Sequence, residues 1–494
     1  MRHATILVPL IAAAVLAGCR TVGPDYAGPP AAPRAAPAFA RAGELAGAPP
    51  DAAPAPWWTA LGDPTLDRLE ARALRANPNL DVARARLRQA RAALRGARAN
   101  LLPNGTATVL AAHARLPPIG DKMGGSGGSG GGFRIPSSLN LYNAGFDATW
   151  EIDLFGGQHR AFEAAGAAAQ AAEAGVLDAQ VSLAAEVAQA YVQLRATQAL
   201  MTLADAAVAR QQRIVDLTRR RVAGGTASTL DLVRLQGQLE TTRAESEPLA
   251  AQLDAARDAL AVLAGAAPGA LDADLAAAGP AKVDAVPLPP ASVPVGDPAG
   301  LLRRRPDIRA AERTLAARTA QVGQAEAARF PHLTLLGLIG IGGTHPSDLT
   351  RLDDPTAIAA PRLSWNVLDF GRNRARVDQA EGLRAEAEAQ YRAAVLSALR
   401  DAEDALARFR QGRATVATVA RARAAADQAA RLTEARRRAG TASLIDVLDT
   451  ERQLLAADEN LAAARAALTT DFISLQKALG LGWSGAAPAV AAQP

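Results

Sequence analysis

The sequence predicts a mainly α-helical protein with a membrane β-barrel, built from a unit of helix, two strands, long helix and shorter helix that occurs twice. Three observations lead to this fold class: an internal duplication, a seven-residue apolar repeat, and strands with strict apolar–polar alternation. Aromatic residues make up only 4% of the 494 residues. Such a composition suits closely packed helices better than one large globular core.

The N-terminus is typical of a secretory signal that ends in a lipid attachment site. An apolar stretch from Ile6 to Ala17 follows Arg2 and is too short to span a bilayer. Small residues then precede Cys19, the single cysteine of the chain. We expect Cys19 to carry a covalent lipid and no other cofactor to be bound; an ordinary signal peptide with an incidental cysteine is the simpler alternative. In bacterial lipoproteins an Asp directly after the lipidated cysteine is associated with retention in the inner membrane. This chain has Arg20 at that position, which is compatible with the outer membrane.

The internal duplication organises the rest of the chain. The segment Gly225-Thr226-Ala227-Ser228 recurs 215 residues later as Gly440-Thr441-Ala442-Ser443. The same spacing pairs Trp150 with Trp365, Phe155 with Phe370 and Leu239 with Leu454. Upstream, the spacing is 228 residues, since Pro78 matches Pro306 and Pro103 matches Pro331. The first copy therefore carries additional residues, for which the Gly/Ser-rich run at 124–132 is the candidate.

The duplication predicts the domain layout. Residues 1–18 are a signal peptide, 19–64 a lipidated tether, and 267–298 a Pro/Ala-rich linker between two repeats, with a tail at 483–494. The first repeat covers 65–266, with strands at about 106–113 and 142–154. The second covers 299–482, with strands at about 333–341 and 358–367.

Each repeat contains one very long helix. The first helix of the chain is expected from about Thr65 to Leu102, and the long helices from about Gln158 to Val222 and from Asn373 to Arg438. A helix of this length extends on the order of 100 Å. The first long helix has an apolar residue at every seventh position: Val187, Leu194, Met201, Val208, Val215 and Val222. A seven-residue seam indicates paired helices, and an ordinary coiled-coil bundle has the same spacing.

The strands favour a membrane barrel. Between Phe146 and Leu154 every second residue is apolar, and Asp147, Glu151 and Asp153 lie on the opposite face. This alternation is typical of a transmembrane strand with a wet lumen, although a half-buried soluble sheet has the same period. Four strands cannot close a barrel, and open edges are not tolerated in lipid. Two chains would supply eight strands and three would supply twelve; the strand count alone does not choose.

Several motifs in their order resemble the outer membrane factor family, and within it the NodT-type lipoproteins related to OprM and TolC. The motifs are the start at Cys19-Arg-Thr-Val-Gly-Pro-Asp-Tyr26, the strand end Trp150-Glu-Ile-Asp-Leu-Phe-Gly156 and the tip Gly440-Thr-Ala-Ser-Leu-Ile-Asp-Val-Leu-Asp449. The resemblance implies a homotrimer with a twelve-stranded barrel in the outer membrane, continuous with an α-helical barrel in the periplasm. It also implies an efflux channel that docks with a periplasmic adaptor and an inner-membrane pump.

The resemblance also implies functional residues at the hairpin tips. Gly225, Thr226, Gly440 and Thr441 are the expected adaptor-docking tips. Asp446 and Asp449 match the paired aspartates of the family's periplasmic gate. Some relatives have a basic residue near these aspartates where this chain has Ala442. Arg452, on the same helix, is the candidate to supply the positive charge instead. A simple helix cap is the alternative for Asp446, since Asp231 also follows a serine by three residues.

Other function classes find little support in the sequence. The net charge is +5 and the sequence pI is 9.8, but no basic run interleaves with aromatic residues, so nucleic-acid binding is not expected. The five histidines are scattered, and no catalytic constellation can be assembled. The alternative to a channel is a structural coiled-coil lipoprotein without transport activity.

Overall fold

A computed structural model describes residues 21–30, 38–43, 56–115, 138–276, 286–351 and 355–483. The first copy consists of α1 (Pro64–Ala76), α2 (Pro78–Ala99), β1 (Asn104–Arg115), β2 (Ser138–Ile152), α3 (Gly157–Ala223) and α4 (Thr229–Leu263). The short α5 (Asp272–Ala276) and α6 (Pro298–Arg304) follow. The second copy consists of α7 (Pro306–Ala327), β3 (His332–Gly343), β4 (Thr356–Ser364), α8 (Arg372–Arg438) and α9 (Leu444–Ala478).

The expected single helix from Thr65 to Leu102 is wrong, because the chain forms two helices there. Asn77 separates them and has an extended backbone, with φ −70° and ψ 125°. A residue that precedes proline is disfavoured in the helical region, and Pro78 then starts α2. The side chain of Asn77 donates to the carbonyl of Leu263 and fixes the break.

The strands form one antiparallel sheet in the order β1-β2-β3-β4. All four start earlier than expected, at 104, 138, 332 and 356 instead of about 106, 142, 333 and 358, and β1 and β3 also end later, at 115 and 343 instead of 113 and 341. β2 ends at Ile152, two residues before its expected end. β4 runs from Thr356 to Ser364 and not from 358 to 367, so Trp365 and Val367 lie beyond the strand. The run at 124–132, the signal peptide and the tail after Trp483 lie outside the described residues.

The chain divides into two compact units. The strand unit comprises Met1–Pro29, Gln89–Gln170 and Arg313–Ala389, and therefore holds the whole sheet. The helical unit comprises Pro30–Arg88, Ala171–Glu312 and Gln390–Pro494.

The helical unit contains the main apolar core. Along α3, the seam residues Val187, Leu194 and Val215 are buried, as the seven-residue repeat predicts. Trp57 and Trp58, at the end of the expected tether, also enter this core, and Trp57 lies edge-on to Phe472 with ring centroids 6.0 Å apart. The tether therefore ends as part of the packed structure. None of the helices in the described residues combines the length and apolar character needed to cross a membrane.

Candidate functional site: the hairpin tips and the strand surface

The two hairpin tips have the same backbone geometry. Gly225 has φ +69° and Gly440 has φ +77°, the left-handed conformation that glycine adopts without a Cβ penalty. At the first tip the N–H of Thr226 donates to the carbonyl of Arg221 at 2.8 Å, and at the second that of Thr441 donates to Arg436 at 2.9 Å. These are the bonds of a Schellman motif, which closes a helix after its last turn.

The tips present small residues to the solvent. The hydroxyls of Thr226 and Thr441 each donate to the same carbonyl as their own N–H, at 3.1 Å in both cases. A Cβ added to Gly225 or Gly440 would meet no atom within 4 Å. A larger side chain at either glycine would therefore point away from the chain.

Asp446 takes part in a helix cap. The Ser443 hydroxyl accepts from the Asp446 N–H at 3.2 Å, and the Asp446 carboxylate accepts from the Ser443 N–H at 2.8 Å. The bond from the Ser443 backbone lowers the pKa of Asp446. Ser228 caps the first tip helix by accepting from the N–H of Leu230. The capping role considered for Asp446 is thus present in the structure, and it leaves the carboxylate ionised and exposed.

Asp449 lies one turn further along α9. Arg452 donates to one of its carboxylate oxygens at 2.9 Å and Gln453 donates to the other at 2.8 Å. Arg452 is therefore the cation that faces Asp449, and both side chains are exposed. Two neighbouring carboxylates and one arginine thus lie at the start of the second tip helix.

The two tips pack against each other within the chain. Val215 and Leu235 from the first hairpin form an apolar cluster with Leu444 and Leu448 from the second. Arg210 on α3 approaches Glu451 on α9 to 3.8 Å across the same junction.

A charged cluster beside this junction was missed by sequence reasoning. Hydrogen bonds from Arg437 and Arg438 lower the pKa of Glu434 to about 2. Glu434 and Arg438 line an open cleft near the second tip, together with Arg210, Asp427 and Arg431. The sequence signal was Arg437, a charge at the position that corresponds to the seam residue Val222 under the 215-residue spacing.

The segment after Cys19 docks on the strand unit. Cys19 itself lies outside the described residues, but the N–H of Val22 donates to the carbonyl of Phe155 at 3.1 Å. Buried Arg160 donates to the carbonyls of Val22 and Gly23 and pairs with Asp25 at 2.6 Å. These bonds of Arg160 to Val22, Gly23 and Asp25, called the Arg160 clamp below, hold the N-terminal segment where β2 ends and α3 begins.

The sheet has one apolar face. The pairing register aligns Val109, Phe146, Ile339 and Leu363 on the same side, and all four are more than half exposed. Thr108, Asp147, Thr334 and Arg362 lie on the other side, with the Thr108 hydroxyl donating to Asp147 at 2.6 Å. The large apolar residues on that side are Leu110, Leu139, Leu141, Leu336, Leu338 and Ile358. An exposed apolar face opposite one that carries the charged residues Asp147 and Arg362 fits strands between lipid and water.

Comparison with known proteins identifies the architecture. The family model described as "Outer membrane efflux protein" matches residues 69–266 and 298–481. The chain belongs to the outer membrane efflux protein family. This efflux protein is 31% identical to nodulation protein T of Rhizobium leguminosarum bv. viciae, over 99% of its own length and 95% of that protein. It is 32% identical to the pyoverdine export outer membrane protein OpmQ of Pseudomonas aeruginosa, over 86% of its own length and 87% of OpmQ.

Solved channels share the fold of this efflux protein. The outer-membrane channel OprN matches with a TM-score of 0.83 at 33% identity, over 94% of this chain and 99% of OprN. The open state of the MtrE channel of Neisseria gonorrhoeae matches with a TM-score of 0.78 at 28% identity, over 94% and 98%. The protein is an outer-membrane efflux component with the outer membrane factor fold, and it extends from the outer membrane into the periplasm.

Proposed function

We propose that three copies of this chain close a twelve-stranded barrel in the outer membrane, and that their helical hairpins form the tunnel below it. The exposed apolar face of a sheet with four strands carries this proposal. Open strand edges are excluded from lipid, so the sheet must be completed by other copies. A twelve-stranded barrel has room for a channel, whereas an eight-stranded one is filled by its own side chains.

In this assembly the efflux protein passes solutes from an inner-membrane pump, through a periplasmic adaptor, to the cell exterior. The tips at Gly225-Thr226 and Gly440-Thr441 are the adaptor-docking surface, because they are exposed reversals of the long helices. Asp446 and Asp449 form the periplasmic gate, with Arg452 as the compensating cation.

The oligomeric state is tested on the full-length protein in detergent. The mass of the purified protein, corrected for bound detergent, should equal three chains. A stable monomer with a folded, protease-resistant strand unit would contradict the proposed architecture.

Lipidation of Cys19 is the second proposal. The docked segment that begins with Thr21 and Val22 supports it, because it holds the chain two residues after Cys19 beside the end of β2. Cys19→Ser should abolish labelling with radioactive palmitate, since the chain has no other cysteine. The barrel should still insert, because the strands are held independently. Unchanged labelling in the variant would disprove the attachment site.

A further inference from the structure

The face of the sheet that carries Asp147 also carries aliphatic side chains in the same row. Thr106 lies opposite Asp147, Asp147 lies opposite Leu338, and Leu338 lies opposite Ile358. Residues directly opposite each other in an antiparallel pair have Cβ atoms about 4.5–5.5 Å apart. Ile358 is exposed and Leu338 is half-buried. A carboxylate and a pair of aliphatic side chains are therefore neighbours on one face of the sheet.

The adjacent row on this face has no side chains at its centre. Gly145 lies opposite Gly340, two residues before Asp147 and two residues after Leu338. A Cβ built on Gly145 would lie 2.7 Å from the carbonyl oxygen of Ile339, and one built on Gly340 would meet the backbone of β2 at 2.9 Å. The close approach of β2 and β3 thus requires glycine at both positions. The two glycines leave bare backbone, called the glycine recess below, beside the carboxylate and the aliphatic pair.

The Asp147 carboxylate has no cation beside it. Within the part of the chain that the structure describes, its interaction is one hydrogen bond, from the Thr108 hydroxyl at 2.6 Å. Glu151 on the same face differs, because its carboxylate lies 3.1 Å from a ring nitrogen of His332. Arg362 is four residues beyond Ile358 along β4, about 13 Å at the rise of a strand. The negative charge of Asp147 is therefore available to a cation from solution.

We propose that Asp147, Leu338, Ile358 and the glycine recess form a binding site for organic cations with an apolar body. The carboxylate attracts the positive charge, and the aliphatic side chains and the recess contact the apolar part. The inference rests on the proposed barrel, because closure of the barrel turns this face toward the channel. In three copies the site occurs three times around the channel.

The combination of charge and apolar surface selects this class of solute. An inorganic cation is attracted by Asp147 but gains nothing from the aliphatic side chains, because it carries no apolar surface to remove from water. A neutral apolar solute gains no charge attraction, and an anion is repelled. The site therefore gives the channel a preference for amphipathic cations over inorganic cations of the same charge.

Block of single-channel conductance by tetraphenylphosphonium tests the site in the full-length protein. This ion combines a permanent positive charge with four phenyl groups, and it is added on the extracellular side. Asp147→Asn removes the charge and keeps an oxygen that accepts from the Thr108 hydroxyl, so the strand should keep its structure. The ion should block this variant at least about fivefold more weakly than the wild type. Tetramethylammonium, with the same charge and little apolar surface, should block the wild type at least about tenfold more weakly than tetraphenylphosphonium.

Leu338→Thr tests the aliphatic half of the site. Threonine suits a strand, and loss of the aliphatic surface should weaken the block by about fivefold. Leu141→Thr is the matched control, with the same substitution on the same face. Leu141 is six residues from Asp147 along β2, about 20 Å at the rise of a strand, so the block should be unchanged. If Leu338→Thr does not assemble, Ile358→Thr tests the same half.

Glu151→Gln controls for the total charge of the channel, and it should leave the block by tetraphenylphosphonium unchanged. A block that weakens as much in Glu151→Gln as in Asp147→Asn would overturn the site in favour of a general charge effect. Equal block of the wild type, Asp147→Asn and Leu338→Thr would overturn the site and leave the proposed channel standing. A wild-type protein without conductance would contradict the proposed channel and the site together.

Discussion

Gly440→Trp should abolish solute export while leaving the assembled protein intact. The added Cβ meets no atom of the chain within 4 Å, so the indole would project from the tip into the space where the proposed adaptor docks. The left-handed backbone at φ +77° would cost the variant about 1–2 kcal/mol, which the closed helical hairpin can tolerate. Resistance to an exported compound should fall to the level of a strain without the gene. Detergent mass and resistance to protease should remain those of the wild type.

Gly440→Ala is the matched control, because it carries the same backbone penalty without the bulk. Export should be retained in this variant, which would assign the loss in Gly440→Trp to the obstructed surface. Full export by Gly440→Trp would show that the second tip is not the docking surface. Loss of export in both variants would assign the effect to the backbone of the turn.

Replacing the two tip aspartates should relieve block of the channel by trivalent cations added on the periplasmic side. In a trimer, Asp446 and Asp449 would place six carboxylates around the axis. Like charges a few ångströms apart repel by about 1 kcal/mol per pair in water, so a polyvalent cation binds favourably among them. Protonation of the carboxylates would reduce this repulsion, but Asp446 does not favour protonation, because the hydrogen bond from the Ser443 N–H lowers its pKa. Arg452 supplies one positive charge to Asp449.

Asp446→Asn with Asp449→Asn is the informative variant, because an asparagine oxygen can still accept from the Ser443 N–H and preserve the cap. The trivalent ion should bind at least about tenfold more weakly, equivalent to about 1.4 kcal/mol, and cation selectivity should decrease. Asp231→Asn at the first tip is the matched control and should leave the block unchanged. Equal block in the wild type and the double variant would show that these aspartates only cap and solvate the helix end.

Local signals in the sequence were sufficient to predict where the long helices begin and end. The expected spans 158–222 and 373–438 differ by at most one residue at either end from α3 and α8. Glycines at positive φ and capping serines end and restart these helices, and both act through neighbouring residues. The break at Asn77 was also readable in principle, because an asparagine before proline disfavours helix.

Three features depend on residues that are distant in sequence or, by the proposal, on another copy of the chain. The approach of Arg210 to Glu451 joins positions from different copies, and only the packed hairpins bring them together. The end of β4 depends on pairing partners, and the proposed partner is a second copy of the chain. The Arg160 clamp is a third case, because only the fold shows that the residues after Cys19 return to the end of β2.

Single-channel recording of the purified full-length protein in planar bilayers tests most directly whether this efflux protein is a duct. The trimeric barrel and tunnel predict discrete conductance steps that favour cations, with polyvalent block from the periplasmic side only. A protein that is folded and trimeric by mass, yet gives no conductance under any applied voltage or ionic condition, would contradict the duct and favour a structural coiled-coil lipoprotein.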